Sequence, residues 1–144
     1  MASAAANRSA GPTRRVATLK RHAEFQRVRK GARWATPAFV LEAKARGETD
    51  RDAKRIVPVQ QPRFGFTVTR QIGKAVERNR IRRRLKAAVR DVMINHARRD
   101  FDYVLIARQP ALTSGYDALV ADLVKALERV HRAAAPGAVR PGRR

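Results

Sequence analysis

Cysteine is absent from the 144-residue chain. That excludes disulfides, thiolate nucleophiles and zinc sites built on thiolates, and it suits a reducing cytoplasm. No apolar run approaches the roughly 20 residues of a membrane-spanning helix. Acids are scarce: 12 Asp and Glu stand against 33 Lys and Arg, for a formal net charge of +21. Such an imbalance exceeds what solubility needs and makes the isolated molecule repel itself. A polyanionic partner accounts for it, with nucleic acid ahead of membrane.

Catalytic groupings are missing as well. The acids are spread along the chain, with no two on a recognisable strand-end or helix-face constellation of the kind that holds catalytic metals. His22, His96 and His131 fall in different segments beside basic neighbours and read as surface residues. "FGFTVTRQIGKA" spaces its two glycines wrongly for a phosphate-cradling loop. These patterns predict no catalytic residue and no metal ligand in the polypeptide, which brings binding rather than bond-breaking.

The N-terminal "MASAAANRSAGPTRR" lacks the apolar centre of a secretory signal, while its Ser/Ala/Arg bias keeps a transit-peptide reading open. Residues 1–16 and 133–144 carry almost nothing to bury and read as flexible basic tails around one folded domain, 17–132. Within it, residues 46–62 are polar, carry two prolines and read as a surface loop insertion between strands. "LKRHAEFQRVRKG" predicts a short helix carrying Leu19, Phe25 and Val28, with Gly31 ending it. "AFVLEAK" and "RFGFTVTR" predict strands, with a short partner at Arg33 to Ala35. "DYVLIAR", residues 102–108, reads as a strand covered on both faces. The last helix runs through Tyr116, Leu119, Val120, Leu123, Val124, Leu127 and Val130 behind a cap at Thr113 or Ser114. Helix, three strands, basic helix, strand and helix make an α+β sandwich.

The basic helix, Lys74 to His96, is the most informative element. "GKAVERNRIRRRLKAAVR" holds eight Lys or Arg in eighteen positions against the single acid Glu77. At about 100° per residue, Ile81, Leu85, Ala88, Val89 and Val92 share one arc and Asn79, Arg83, Lys86 and Arg90 lie across from it. A merely solvated helix face mixes signs at i and i+4, whereas here Arg80 with Arg84 and Arg82 with Lys86 repel. A face that forgoes this pairing is suited to phosphates, and arginine's planar fork adds bidentate contacts and stacking. Asn79 either hydrogen-bonds a base edge or 2′-hydroxyl, or caps the helix start.

"RFGFTVTRQIGKAVERNRIRRRLKAAVR" resembles the signature of the bacterial ribonuclease P protein family. "LKRHAEFQRVRKG" is similar to that family's first helix, "AFVLE" to its cleft strand, and "DYVLIARQPA" with "TSGYDALVADLVKALERV" to its late strand and last helix, about residues 19–131 in all. The resemblance implies a ribosomal-protein-S5-domain-2-like sandwich with a left-handed β-α-β crossover, against the general right-handed preference. It also implies a cytoplasmic auxiliary subunit, monomeric before assembly and not membrane-bound. Its partner would be a catalytic RNA that uses Mg2+ to remove the 5′ leader of precursor tRNA, and the protein would broaden the substrate range. Carried over by motif position, Arg70, Lys74, Arg78, Asn79, Arg80, Arg82, Arg83, Lys86 and Arg90 would dock on the catalytic RNA. Phe25, Val28, Val40 and Thr67 would form the cleft for the single-stranded leader, with Phe25 alternatively a core residue.

Arg29 and Glu42 stand where many members of that family carry aromatics, which implies a more electrostatic leader contact here. The rival reading is a basic ribosomal or nucleoid-type binding protein. A helix-turn-helix would need a short helix where strand-like "RFGFTVTR" lies, and a protein-only nuclease would need clustered acids.

Overall fold

The computed structural model describes residues 16–46 and 61–134. In chain order the elements are β1 (Ala17–Thr18), α1 (His22–Arg29), β2 (Ala32–Ala35), β3 (Phe39–Ala45), β4 (Arg63–Thr67), α2 (Ala75–His96), β5 (Phe101–Ala107) and α3 (Tyr116–Ala134), with single 3-10 turns at Arg70–Ile72 and Gln109–Leu112. The strands form one sheet in the order β1-β4-β5-β3-β2. β4 pairs parallel with β1 and β5, whereas β3 pairs antiparallel with β5 and β2. α2 therefore bridges two parallel neighbours, as a β-α-β crossover requires.

Alternation along the strands splits the core in two. Phe39, Leu41, Phe64, Tyr103 and Leu105 face α2 and α3, where they join Ile81, Leu85, Val89, Leu119, Leu123 and Leu127. Val104 and Ile106 face the other way and meet Leu19, Phe25 and Val28 under α1. The sheet is thus covered by two helices on one side and by one short helix on the other. β5, buried along nearly its whole length, is the doubly covered strand predicted from its apolar run.

The basic helix forms in spite of its charge because its inner stripe is apolar. Ile81, Leu85, Ala88, Val89, Val92 and Met93 are all buried. Each large aliphatic side chain buried this way is worth about 1.5–3 kcal/mol, while each like-charge pair on the surface costs a few tenths of a kcal/mol. Burial wins, and the repulsion stays on the outside. Glu77 accepts the Lys74 backbone N–H at 2.9 Å, which closes the helix start.

Several predicted details change. A two-residue strand, β1, precedes the first helix, and Val16, assigned to the tail, is buried. Leu19 lies before α1, and its N–H bonds the Phe64 carbonyl at 2.9 Å, extending the β1–β4 pairing. Neither Thr113 nor Ser114 caps α3: both backbone N–H groups bond Pro110 O and close the preceding turn, while Gly115 O receives Leu119 N–H. α3 continues to Ala134, past the predicted domain end at 132. Gly31 does follow α1, but the position demands glycine for space, since a Cβ there would lie 2.1 Å from the Ala43 carbonyl oxygen. Most of the two tails and residues 47–60 of the insertion lie outside the described residues.

Candidate nucleic-acid interface

The α2 sequence places its cations on the side opposite the buried stripe. Lys74, Asn79, Arg80, Arg82, Arg83, Lys86 and Arg90 are exposed, as is Arg70 in the turn before the helix. Among the described residues none of these cations pairs with an acid. Asn79 lies five residues inside the helix and is not its cap; its Oδ1 accepts a long bond of 3.4 Å from Arg82. Arg78 differs from the rest, being half-buried and donating to the Gly73 carbonyl at 2.8 Å. Arg84 turns inward instead and donates to the carbonyls of Ala111 and Ser114, tying α2 to the turn before α3.

Three arginines elsewhere, Arg27, Arg46 and Arg63, are neutralised. Asp102, fully buried on β5, accepts from Arg27 at 2.8 Å, from Arg46 at 2.6 Å and from Arg63 at 2.7 and 2.8 Å. Burial pushes its carboxyl up, but the hydrogen bonds from Arg63 and Arg27 outweigh it and hold the group below the usual carboxylate range. Glu24 adds a second acid, 3.2 Å from Arg63. Arg46 also donates to the carbonyls of Gln61 and Arg99, so it closes the neck of the insertion. Folding brings together these two acids, which sequence distance had separated, and arginine nitrogens occupy them. Among the described residues no three His, Asp or Glu side chains converge as metal ligands.

The α1 side of the sheet carries three rows of cross-strand neighbours. Ala35, Val40, Ile106 and Thr67 form one row, Arg33, Glu42, Val104 and Gly65 the next, and Lys44, Asp102 and Arg63 the last. α1 covers the second row: Phe25 lies so close over Gly65 that a Cβ there would be 2.5 Å from the ring. Val28 is completely buried beneath α1 and supports this face rather than lining it. Phe25 is half-buried and packed with Leu19 and Val104. Val40, Ile106 and Thr67 remain half-buried, an apolar strip beside α1 that leads through Thr69 into Arg70 and α2. The fold thus brings Phe25, Val40 and Thr67 to one face beside Ile106, with Val28 buried behind them on α1. The run "DYVLIAR" could not reveal Ile106, because a doubly buried strand gives no sign of which side chain faces which layer.

His131 departs from its surface reading, and Glu42, expected to make the leader contact more electrostatic, is buried. His131 is buried, with Nε2 2.6 Å from the Tyr103 hydroxyl. Burial, followed by the Arg98 charge, lowers its pKa to about 4. Glu42 is 3% exposed, and burial raises its carboxyl pKa while Arg33 and Arg29 offset only part of the rise.

Comparison with known proteins agrees with this architecture. The ribonuclease P family model matches residues 14–131. The ribonuclease P protein component of Paramagnetospirillum magneticum is 40% identical over 134 residues, covering 88% of this chain and 96% of that one. That of Brucella suis is 41% identical over 114 residues, covering 76% and 77%. Among solved structures, the RNase P protein of Staphylococcus aureus aligns with a TM-score of 0.61 at 27% identity, over 80% of this chain and 95% of that one. The Thermotoga maritima RNase P protein shares the fold, with a TM-score of 0.62 at 20% identity over 78% and 96%. A family match across most of the chain and 40% identity to a relative over nearly its full length establish that the chain belongs to the ribonuclease P protein family.

Proposed function

We infer that the chain is the protein subunit of ribonuclease P, the endoribonuclease that forms tRNA 5′ ends, and that its α2 face docks on the catalytic RNA of the holoenzyme. The observation that carries this reading is the row of exposed α2 cations without acidic partners among the described residues, in contrast to Arg27, Arg46 and Arg63, which are hydrogen-bonded to carboxylates. Arg83, Lys86 and Arg90 lie farthest from the buried stripe and meet phosphates first. The same charge keeps free molecules apart, so the protein enters assembly as a monomer.

The 5′ leader of the precursor crosses the strip of Val40, Ile106 and Thr67, beside the half-buried Phe25. An unpaired base packs on such an apolar floor or stacks on an aromatic, and its backbone stays among cations. Arg70 and Lys74, at the end of the strip, draw the leader toward the docked RNA. The chain's own residues thus bind and orient the substrate. The magnesium ions that serve the hydrolysis belong with RNA phosphates, because the protein's clustered acids are occupied by arginines.

Leader removal from precursor tRNA by the cognate catalytic RNA at low magnesium, with and without the protein, tests this reading alongside a protein-alone control. Stimulation only in the combined reaction is the expected result. No stimulation would return the chain to general basic RNA-binding proteins, and cleavage by the protein alone would make it a nuclease in its own right.

A further inference from the structure

Glu42 is buried on the α1 side of the sheet, yet its charge is poorly matched. Among the described residues its nearest cation is Arg33, across the β2–β3 ladder, with Nη1 3.6 Å away and beyond hydrogen-bond length. Arg33 is itself 55% exposed. Arg29, in the last turn of α1, is also exposed, and its charge acts on the same carboxylate. One outward guanidinium group, that of Arg33, therefore faces the buried acid, and a second, that of Arg29, adds its charge from α1. The contrast with Arg27, Arg46 and Arg63 is chemical: hydrogen bonds to Asp102 and to backbone carbonyls occupy those side chains, whereas Arg29 and Arg33 donate no hydrogen bond among the described residues.

Position supplies the second half of the argument. Arg33 and Glu42 form the row next to Ala35 and Val40, so the two arginines stand at the β2 end of the apolar strip. Arg70 and Lys74 stand beyond its β4 end. A single strand lying on the strip passes between two groups of cations. We propose that Arg29, in the last turn of α1, and Arg33, facing Glu42 across the β2–β3 ladder, form a phosphate-binding site for the backbone of the single-stranded RNA that crosses the strip. The inference rests on the leader reading above and adds to it which residues hold the backbone at the far edge. Glu42 acts through Arg33 as a positioning residue, because the buried carboxylate attracts that guanidinium from 3.6 Å and is shielded from the phosphate by it.

The test measures binding of the reconstituted holoenzyme to precursor tRNA with a 5′ leader and to the same tRNA without one, over a range of salt concentrations. Arg29→Met with Arg33→Met should weaken leader-bearing binding about tenfold at low salt and lower its salt slope by about 1.4, about 0.7 per lost single-strand contact. Leaderless tRNA and the isolated catalytic RNA should bind as before. In a Glu42→Gln background, Arg33→Met should cost less than in the wild type, because the arginine is no longer held. An unchanged slope with leader-bearing precursor would overturn the site. Equal losses with and without the leader would overturn it too, assigning the arginines to another part of the RNA. Equal cost of Arg33→Met in both backgrounds would remove Glu42 from it. A wild-type holoenzyme that binds both RNAs alike would refute the leader reading itself, and with it the ligand named here.

Discussion

Phe25 rests on Gly65 with no room between them: a Cβ on residue 65 would lie 2.5 Å from the ring. This contact sets how closely α1 approaches β4, and so where the apolar strip begins. Gly65→Ala should force the ring and α1 outward and cost about 1–3 kcal/mol, as overpacked sites do. Thermal unfolding would show it as a lower melting temperature, and Phe25→Leu in the same molecule should restore part of the loss. An unchanged melting temperature in the single variant would mean that α1 does not bear on Gly65.

The Asp102 carboxylate holds α1, β4 and the end of β3 through Arg27, Arg63 and Arg46. Asp102→Asn removes the buried charge that these three half-buried guanidiniums share and leaves Arg63 with Glu24, so it should destabilise by about 3–5 kcal/mol. The pH dependence follows from the lowered carboxyl. The group is more acidic folded than unfolded, so its stabilisation is complete above the unfolded value of 3.8 and is lost as pH falls through the folded one. Denaturant titrations of both proteins at neutral and strongly acid pH should converge at the acid end, and parallel curves would count against the assignment.

His131 gives a second, separate pH effect. Its pKa is near 4 in the fold against 6.5 unfolded, with Arg98, Asp100 and His96 as its charged surroundings. Protons prefer the unfolded chain, so stability should decline between about pH 6.5 and 4, by at most about 3 kcal/mol. His131→Gln should flatten that stretch of the curve. If the variant's stability followed the wild-type curve throughout, the decline would belong to other groups.

On the α2 surface the expectation is opposite in kind. Arg83 and Arg90 are exposed and touch no acid among the described residues, so replacing both with Met should leave the fold intact or slightly steadier. Catalytic-RNA binding should weaken, and its dependence on salt should become shallower by about one unit per lost duplex contact. Filter binding at several salt concentrations measures both. In the free wild-type protein, sulfate should raise the melting temperature by occupying this face, and the double variant should respond less.

The helical stripe Ile81, Leu85, Ala88, Val89 and Val92 and the cations across from it were legible in the sequence because a period of 3.6 is a local property. The same holds for α3 and for the strands at Phe39–Ala45 and Arg63–Thr67, although the second strand ends three residues before the expected Arg70 and α3 runs four residues beyond Val130. β1 was not legible, since two residues carry no period and only their pairing with β4 makes them a strand. His131 looked like a surface residue among charged neighbours, and only the packing of α3 on β5 puts it against Tyr103.

By itself the sequence determined the function class: the excess of cations, their concentration on one helix and the signature around that helix all survive any arrangement of the chain. Tertiary structure alone decided which cations are available. Asp102 and Glu24 lie 78 residues apart in sequence, and the sheet brings both to Arg63. Ion pairing falls off within a few ångströms, so it depends on strand register rather than on composition. The register also set Ile106 between Val40 and Thr67, a neighbourhood that no single segment encodes.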